Sequence, residues 1–125
     1  MLPTVPPNTY TLKLPYPVSV NRMFKYRGSK QLSDEAIAYK WQVLADARNQ
    51  GVIEPIQGRV GVNIQVFPKA RRGDLDNLLK LTLDSLNDVA WKDDRMIDEI
   101  VIQRRELVKE PYIILRVWKF LGAGT

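Results

Sequence analysis

The stretch Arg71–Asp98, RRGDLDNLLKLTLDSLNDVAWKDDRMID, decides how the rest of this 125-residue chain is read. Its apolar positions Leu75, Leu78, Leu79, Leu83, Leu86 and Val89 recur at threes and fours, the period of a helix with one buried face. Asp74 follows a glycine and precedes that run, a position suited to capping the helix. Asp76, Lys80, Asp84 and Asp88 step by four and make a polar stripe beside the leucines. A second acidic pair, Asp93-Asp94, follows the helix. On spacing alone two readings stay open. Carboxylates from a loop, a helix start and a following segment suit a hard divalent cation. Equally, aspartates in a first turn complement the helix dipole, and an Asp76–Lys80 pair is an ordinary surface contact of about 0.3–0.5 kcal/mol.

Upstream of this stretch, Arg59 to Phe67 alternates Val60, Val62, Ile64 and Val66 with other residues and predicts a strand that Pro68 ends. The basic loop Lys69 to Gly73 then delivers the chain to the acidic helix, at that strand's carboxyl end, where α/β architectures favour active sites. Towards the N-terminus, Ser33 caps a helix running to about Asn49, with Ala36, Ile37, Trp41, Leu44 and Ala45 as its buried stripe and Gln50-Gly51 as its stop. Tyr39, Lys40 and Arg48 are left for solvent or nucleic acid. Ser19 to Lys30 mixes Arg22, Lys25, Arg27 and Lys30 with Phe24 and Tyr26 and reads as a loop able to grip phosphates and stack on a base. The same residues equally suit a basic surface loop whose aromatics tuck into the core. Tyr10 to Leu14, Met96 to Leu107 and Tyr112 to Phe120 read as further strands, the last two joined as a hairpin. Residues 1–8 form an irregular proline-rich arm and 121–125 a frayed tail. The expectation is a single α+β domain over 1–125, in β-α-β-α-β-β order, with a mixed four-stranded sheet and two helices covering one face.

Composition narrows the chemistry. The chain has no cysteine and no histidine, which removes thiolate zinc sites, disulfides and histidine-based catalysis. Carboxylates, lysine and metal-bound water would have to carry any reaction. Net charge is +5, yet residues 51–100 sum to −2 between flanks of +4 and +3. An acidic cluster inside a basic protein suits a polyanion approached through a cation. With neither a signal-like N-terminus nor an apolar run long enough for a bilayer, the expectation is a soluble cytoplasmic protein.

The run Asp74-Leu75-Asp76-Asn77-Leu78-Leu79-Lys80, then Leu83-Asp84-Ser85-Leu86-Asn87, then Trp91-Lys92-Asp93-Asp94, resembles the RusA family of Holliday junction resolvases. Leu14-Pro15-Tyr16-Pro17 with Ser19, Asn21 and Arg22, and Ala38-Tyr39 in the first helix, match the same family's pattern, so the likeness spans roughly Tyr10 to Val101. The sequence departs from the pattern at Gly73, Asp88 and Arg95-Met96. The resemblance implies a homodimeric endodeoxyribonuclease, encoded by a phage, a prophage or a bacterial host, that cuts four-way DNA junctions by paired symmetric nicks in recombination and repair. It implies Mg²⁺ as cofactor, with Mn²⁺ as substitute and no organic cofactor. Asp74, Asp76 and Asp94 would be the catalytic metal ligands and Lys80 the catalytic cation. Asn77, Asp84 and Asp93 would support them, and Arg22, Lys25, Arg27, Lys69, Arg71 and Arg72 would hold the DNA. Rival readings are a related nuclease acting on flaps or forks, and a protein that binds junctions by shape without cutting.

Overall fold

The computed structural model describes residues 9–71 and 73–120, apart from the side chains of Val20 and Arg27. The expected arm at 1–8, the tail at 121–125 and Arg72 therefore lie outside the described residues. In chain order the elements are β1 (Thr9–Pro15), β2 (Phe24–Arg27), β3 (Ser29–Leu32), α1 (Asp34–Asn49), β4 (Val60–Phe67), α2 (Asp76–Ser85), β5 (Ile97–Arg104) and β6 (Tyr112–Lys119). Short 3₁₀ turns sit at Val20–Arg22 and Asp94–Met96. The architecture is α+β, as the residue pattern leads one to expect.

The strand with the clearest alternation sits inside the sheet. β4 lies between β6 and β5 in the order β1-β6-β4-β5, and nearly every residue along it is buried. Val60, Val62, Ile64 and Val66 join Leu12, Leu14, Ile113, Leu115 and Val117 in the core. On β4's other face Gly61 is covered by the Trp118 indole, and a Cβ there would lie 2.5 Å from the ring, so only glycine fits. Gln65 is buried further along the same face, its amide donating to Asn63 Oδ1 and Gln103 Oε1 at 2.8 Å each.

β1 runs antiparallel to β6, and β6 antiparallel to β4, while β4 and β5 are parallel. This corrects the expected terminal hairpin. β5 and β6 do not pair, because the α2 crossover returns the chain parallel to β4 and β6 takes the opposite flank. The loop predicted over Ser19–Lys30 is largely a second small sheet. β2 and β3 form an antiparallel hairpin that turns at Gly28, where φ is +77°. Its Phe24/Tyr26 alternation is diluted by the interleaved cations, which is why the segment looks irregular in sequence.

Ser33 caps α1 as expected, its Oγ accepting from the Ala36 N–H at 3.1 Å. The buried face differs. Ala36, Tyr39, Val43 and Ala47 turn inward, whereas Ile37 and Trp41 are 41% and 66% exposed. Two apolar stripes share Ala36. The one with small residues at both ends lets the helix approach β1, where the Tyr39 hydroxyl donates to the Pro15 carbonyl at 2.8 Å. Burial pushes the Tyr39 phenol well above the ordinary tyrosine range, so it stays a neutral donor. No helix among the described residues is long and apolar enough to cross a membrane.

Candidate active site

Beyond Phe67 the chain leaves the sheet through Pro68–Leu75, turning at Gly73 with φ of +80°. Arg104, at the carboxyl end of β5, fixes that turn by donating to the Gly73 carbonyl at 2.6 Å. Asp74 does not cap α2. The cap position is Leu75, already helical and without a side-chain acceptor, and Asp74 contributes its main-chain carbonyl to Asn77 at 3.2 Å. Its carboxylate is thus not spent on the helix terminus. Asp74, Asp76 and Lys80 are all exposed, because the leucines and the buried Leu81, Thr82 and Ser85 hold the opposite face of α2 against the core. Thr82 and Ser85 donate to the carbonyls of Leu78 and Leu81, so these hydroxyls enter the interior satisfied.

Lys80 lies one turn from Asp76 and one turn from Asp84, and pairs with Asp84 at 3.7 Å. After Leu86 the chain reverses at Asp88, a non-glycine residue with φ of +62° whose N–H reaches the Trp91 carbonyl at 2.7 Å. Asp88, outside the helix, faces Lys92 at 3.7 Å. Trp91 is fully buried and its indole N–H donates to Asn87 Oδ1 at 2.8 Å. It anchors the segment that carries the acidic pair.

Those two neighbours have opposite environments. Asp93 accepts from the Arg95 N–H at 2.9 Å and faces the Arg95 guanidinium at 3.2 Å, and the main-chain hydrogen bond holds its carboxyl below the usual range. Asp94 is shifted upward, first by desolvation and then by Asp93 and Asp84, with Lys80 pulling the other way. Asp94 therefore belongs with Asp84, Asp93 and Lys80.

The expected convergence of Asp74, Asp76 and Asp94 is not formed within one chain. Asp76 and Asp84 are eight residues apart on α2, about 12 Å of helix rise, and Asp94 lies near Asp84. Among the described residues no three acids are grouped closely enough to hold a metal ion. The donors suit a hard cation in chemistry, being all carboxylate oxygen, but not in their arrangement in a single chain. Asn77 is half-buried in the first turn, near Asp76 in sequence.

Of the DNA-binding candidates, Lys69 and Arg71 are exposed on the loop that leads to Asp74. Arg22 pairs with Glu35, and Lys25 with Asp34 at 2.9 Å, so both are held by the first turn of α1. Arg72 and the Arg27 side chain lie outside the described residues. Tyr26 is 73% exposed, whereas Phe24 packs on the core with the Lys30 ammonium 4.1 Å from its ring centroid. Sequence reasoning missed Arg104. It meets Gly73 only because β5 pairs parallel with β4, a long-range fact that no local pattern announces.

Comparison with known proteins gives the family. The family model described as endodeoxyribonuclease RusA matches residues 15–117. The chain is 32% identical over 108 residues to the crossover junction endodeoxyribonucleases RusA of Shigella sonnei (strain Ss046) and Escherichia coli (strain K12), covering 82% of this chain and 88% of each relative. The protein of the same name from Enterobacteria phage 82 matches at the same identity and coverage. With the family model spanning most of the fold, both acidic regions included, this chain belongs to the RusA family of endodeoxyribonucleases.

Proposed function

We propose that this protein is a metal-dependent endodeoxyribonuclease that resolves four-way DNA junctions by paired symmetric nicks, acting as a homodimer in recombination and repair. One observation carries the reading. In a chain of this family, the acids at the start of α2 are left at the surface, uncommitted to capping, directly after the exposed cations Lys69 and Arg71. A helix whose aspartates served only its own terminus would spend Asp74 on the cap.

Mg²⁺ is the proposed cofactor, with Mn²⁺ as substitute, and it would supply charge neutralisation and an activated water. Asp74, Asp76 and Asp94 are the proposed ligands. Since one chain does not gather them, the reading requires the junction or a second copy to complete the set. Lys80 is exposed between the two acidic regions, where its ammonium is suited to orienting the scissile phosphate and stabilising the charge that grows on it. The products would be a 5′-phosphate and a 3′-hydroxyl. Lys69, Arg71 and Arg72, with Arg22 and the hairpin cations Lys25 and Arg27, would grip phosphates without regard to sequence. To reach DNA, Arg22 and Lys25 must exchange Glu35 and Asp34 for phosphate, an inexpensive trade at exposed pairs. Tyr26 is the hairpin aromatic placed to stack on a base at the open crossover. A junction has an approximate two-fold axis, so a symmetric pair of chains presents one acidic site to each of two opposed strands. The phage relative supports a phage or prophage origin and action in the cytoplasm of a bacterial host.

The test is incubation with a synthetic four-way junction, with and without Mg²⁺, beside a linear duplex of the same sequence. Asp74→Asn should abolish cutting and keep junction binding. A protein that only recognises junction shape would show no metal-dependent cleavage to lose.

A further inference from the structure

The two outer edges of the main sheet are finished differently. At β1 the Gln50 side chain lies along the edge, accepting from the Lys13 N–H and donating to the Lys13 carbonyl at 2.8 Å each, and Pro15 ends the strand. Such devices stop another strand from adding on. At β5 no side chain among the described residues clamps the edge, and the one irregularity, a register shift at Asp98, is confined to the strand's start. The strand is eight residues long, contains no proline, and has no strand neighbour beyond it among the described residues. Ile100 and Val101, on opposite faces, are 41% and 38% exposed. The Arg105 N–H bonds inward to the Val66 carbonyl at 2.8 Å. By alternation along the strand, the amides of Ile100, Ile102 and Arg104 point outward, away from the sheet.

The edge is also complementary to itself. Glu99 lies at one end, and Arg105, just past the strand, at the other, with Ile100, Val101 and Ile102 between; Asp98 is already paired with Arg59 and Arg104 with the Gly73 carbonyl. Laid antiparallel across a two-fold axis near Val101 or Ile102, each acidic end meets the partner's basic end and the apolar centres coincide. Glu99 and Arg105 then face each other directly or along the neighbouring diagonal. Such a contact closes on itself and leaves no open edge.

We infer that two copies of this chain join through the outer edges of β5, antiparallel, making one continuous sheet. The inference rests on the homodimer reading above and gives it an interface. A second exposed apolar surface, the groove around Ile37, Trp41 and Leu44, is lined as well by Lys40, Asp84 and Asp88 and serves as the control surface in the test.

The test measures the mass of the full-length protein by sedimentation velocity across micromolar concentrations, with amide exchange on the same samples. The wild type should be a dimer whose Ile100 and Ile102 amides are protected. Ile100→Pro removes an outward N–H and spares the ladder to β4, so it should yield a folded monomer. Should that variant not fold, the charges decide. Glu99→Arg should weaken the dimer at least about tenfold, Glu99→Arg with Arg105→Glu should restore it, and Trp41→Ser should leave it unchanged. A folded Ile100→Pro dimer, no weakening in Glu99→Arg, or dissociation by Trp41→Ser overturns the edge assignment while leaving the homodimer standing. A wild-type monomer at every concentration overturns both.

Discussion

The start of α2 and the segment beyond its end carry the same residue type and treat it differently. Asp74 and Asp76 are exposed at the head of the helix. Asp94, also exposed, stands among Asp93, Asp84 and Lys80, and its carboxyl is pushed up by desolvation and by like charge. The first region is available, the second crowded. Crowded carboxylates raise the free energy of the charged state, and a polyanion-cutting site relieves that when a cation arrives. Lys80 lies between the two regions and pairs with the second.

Removing one acid from either region tests this contrast with the largest expected effects. Asp74→Asn and Asp94→Asn should each lower junction cleavage by more than about 10³-fold, with binding measured by gel shift within about threefold of wild type. A large loss at one region only would break the pairing of the two. Lys80→Met should cost about 10²-fold in the single-turnover rate. In the same variant, NMR titration should find the Asp94 carboxyl higher still, since Lys80 is the charge that lowers it.

Smaller effects separate Asp93 from Asp94, neighbours shifted in opposite directions. A carboxyl raised in the fold stabilises it below the ordinary value of 3.8 and loses that contribution as pH rises through the folded value. Asp94→Asn should therefore raise Tm at pH 7 in EDTA, with the gain vanishing below that ordinary value. Asp93 is lowered, so its contribution is present above the ordinary value and lost as pH falls. Asp93→Ala should lower Tm at pH 7, by an amount that shrinks on acidification. Thermal melts at several pH values check both signs. The smallest effect is expected at Tyr26: Tyr26→Ala should weaken junction binding several-fold and Tyr26→Phe hardly at all, the lower end of what stacking on one base contributes, about 1 kcal/mol.

Legibility in the sequence followed the range of the interactions. The leucine period of α2, the alternation of β4 and the Ser33 cap are set by neighbours within a few residues, and each is readable. The buried face of α1 was not readable, because two stripes compete and the Tyr39–Pro15 hydrogen bond, 24 residues apart, selects between them. Strand partnership was not readable either. The parallel pairing of β5 with β4 follows from the α2 crossover, and with it come the Arg104–Gly73 bond and the open edge of β5. The acids were recognised by type and order. Their separation was hidden, since it depends on the length of α2 and on where Trp91 pins the following segment.

Cleavage of a four-way junction by the wild-type protein, followed on a sequencing gel with Mg²⁺ or with EDTA, tests the central claim most directly. The expected result is a pair of symmetric nicks in opposed strands, ligatable, dependent on the cation and absent from a linear duplex of the same sequence. An intact junction across Mg²⁺ and Mn²⁺ and several junction sequences, or equal cutting in EDTA, would contradict it.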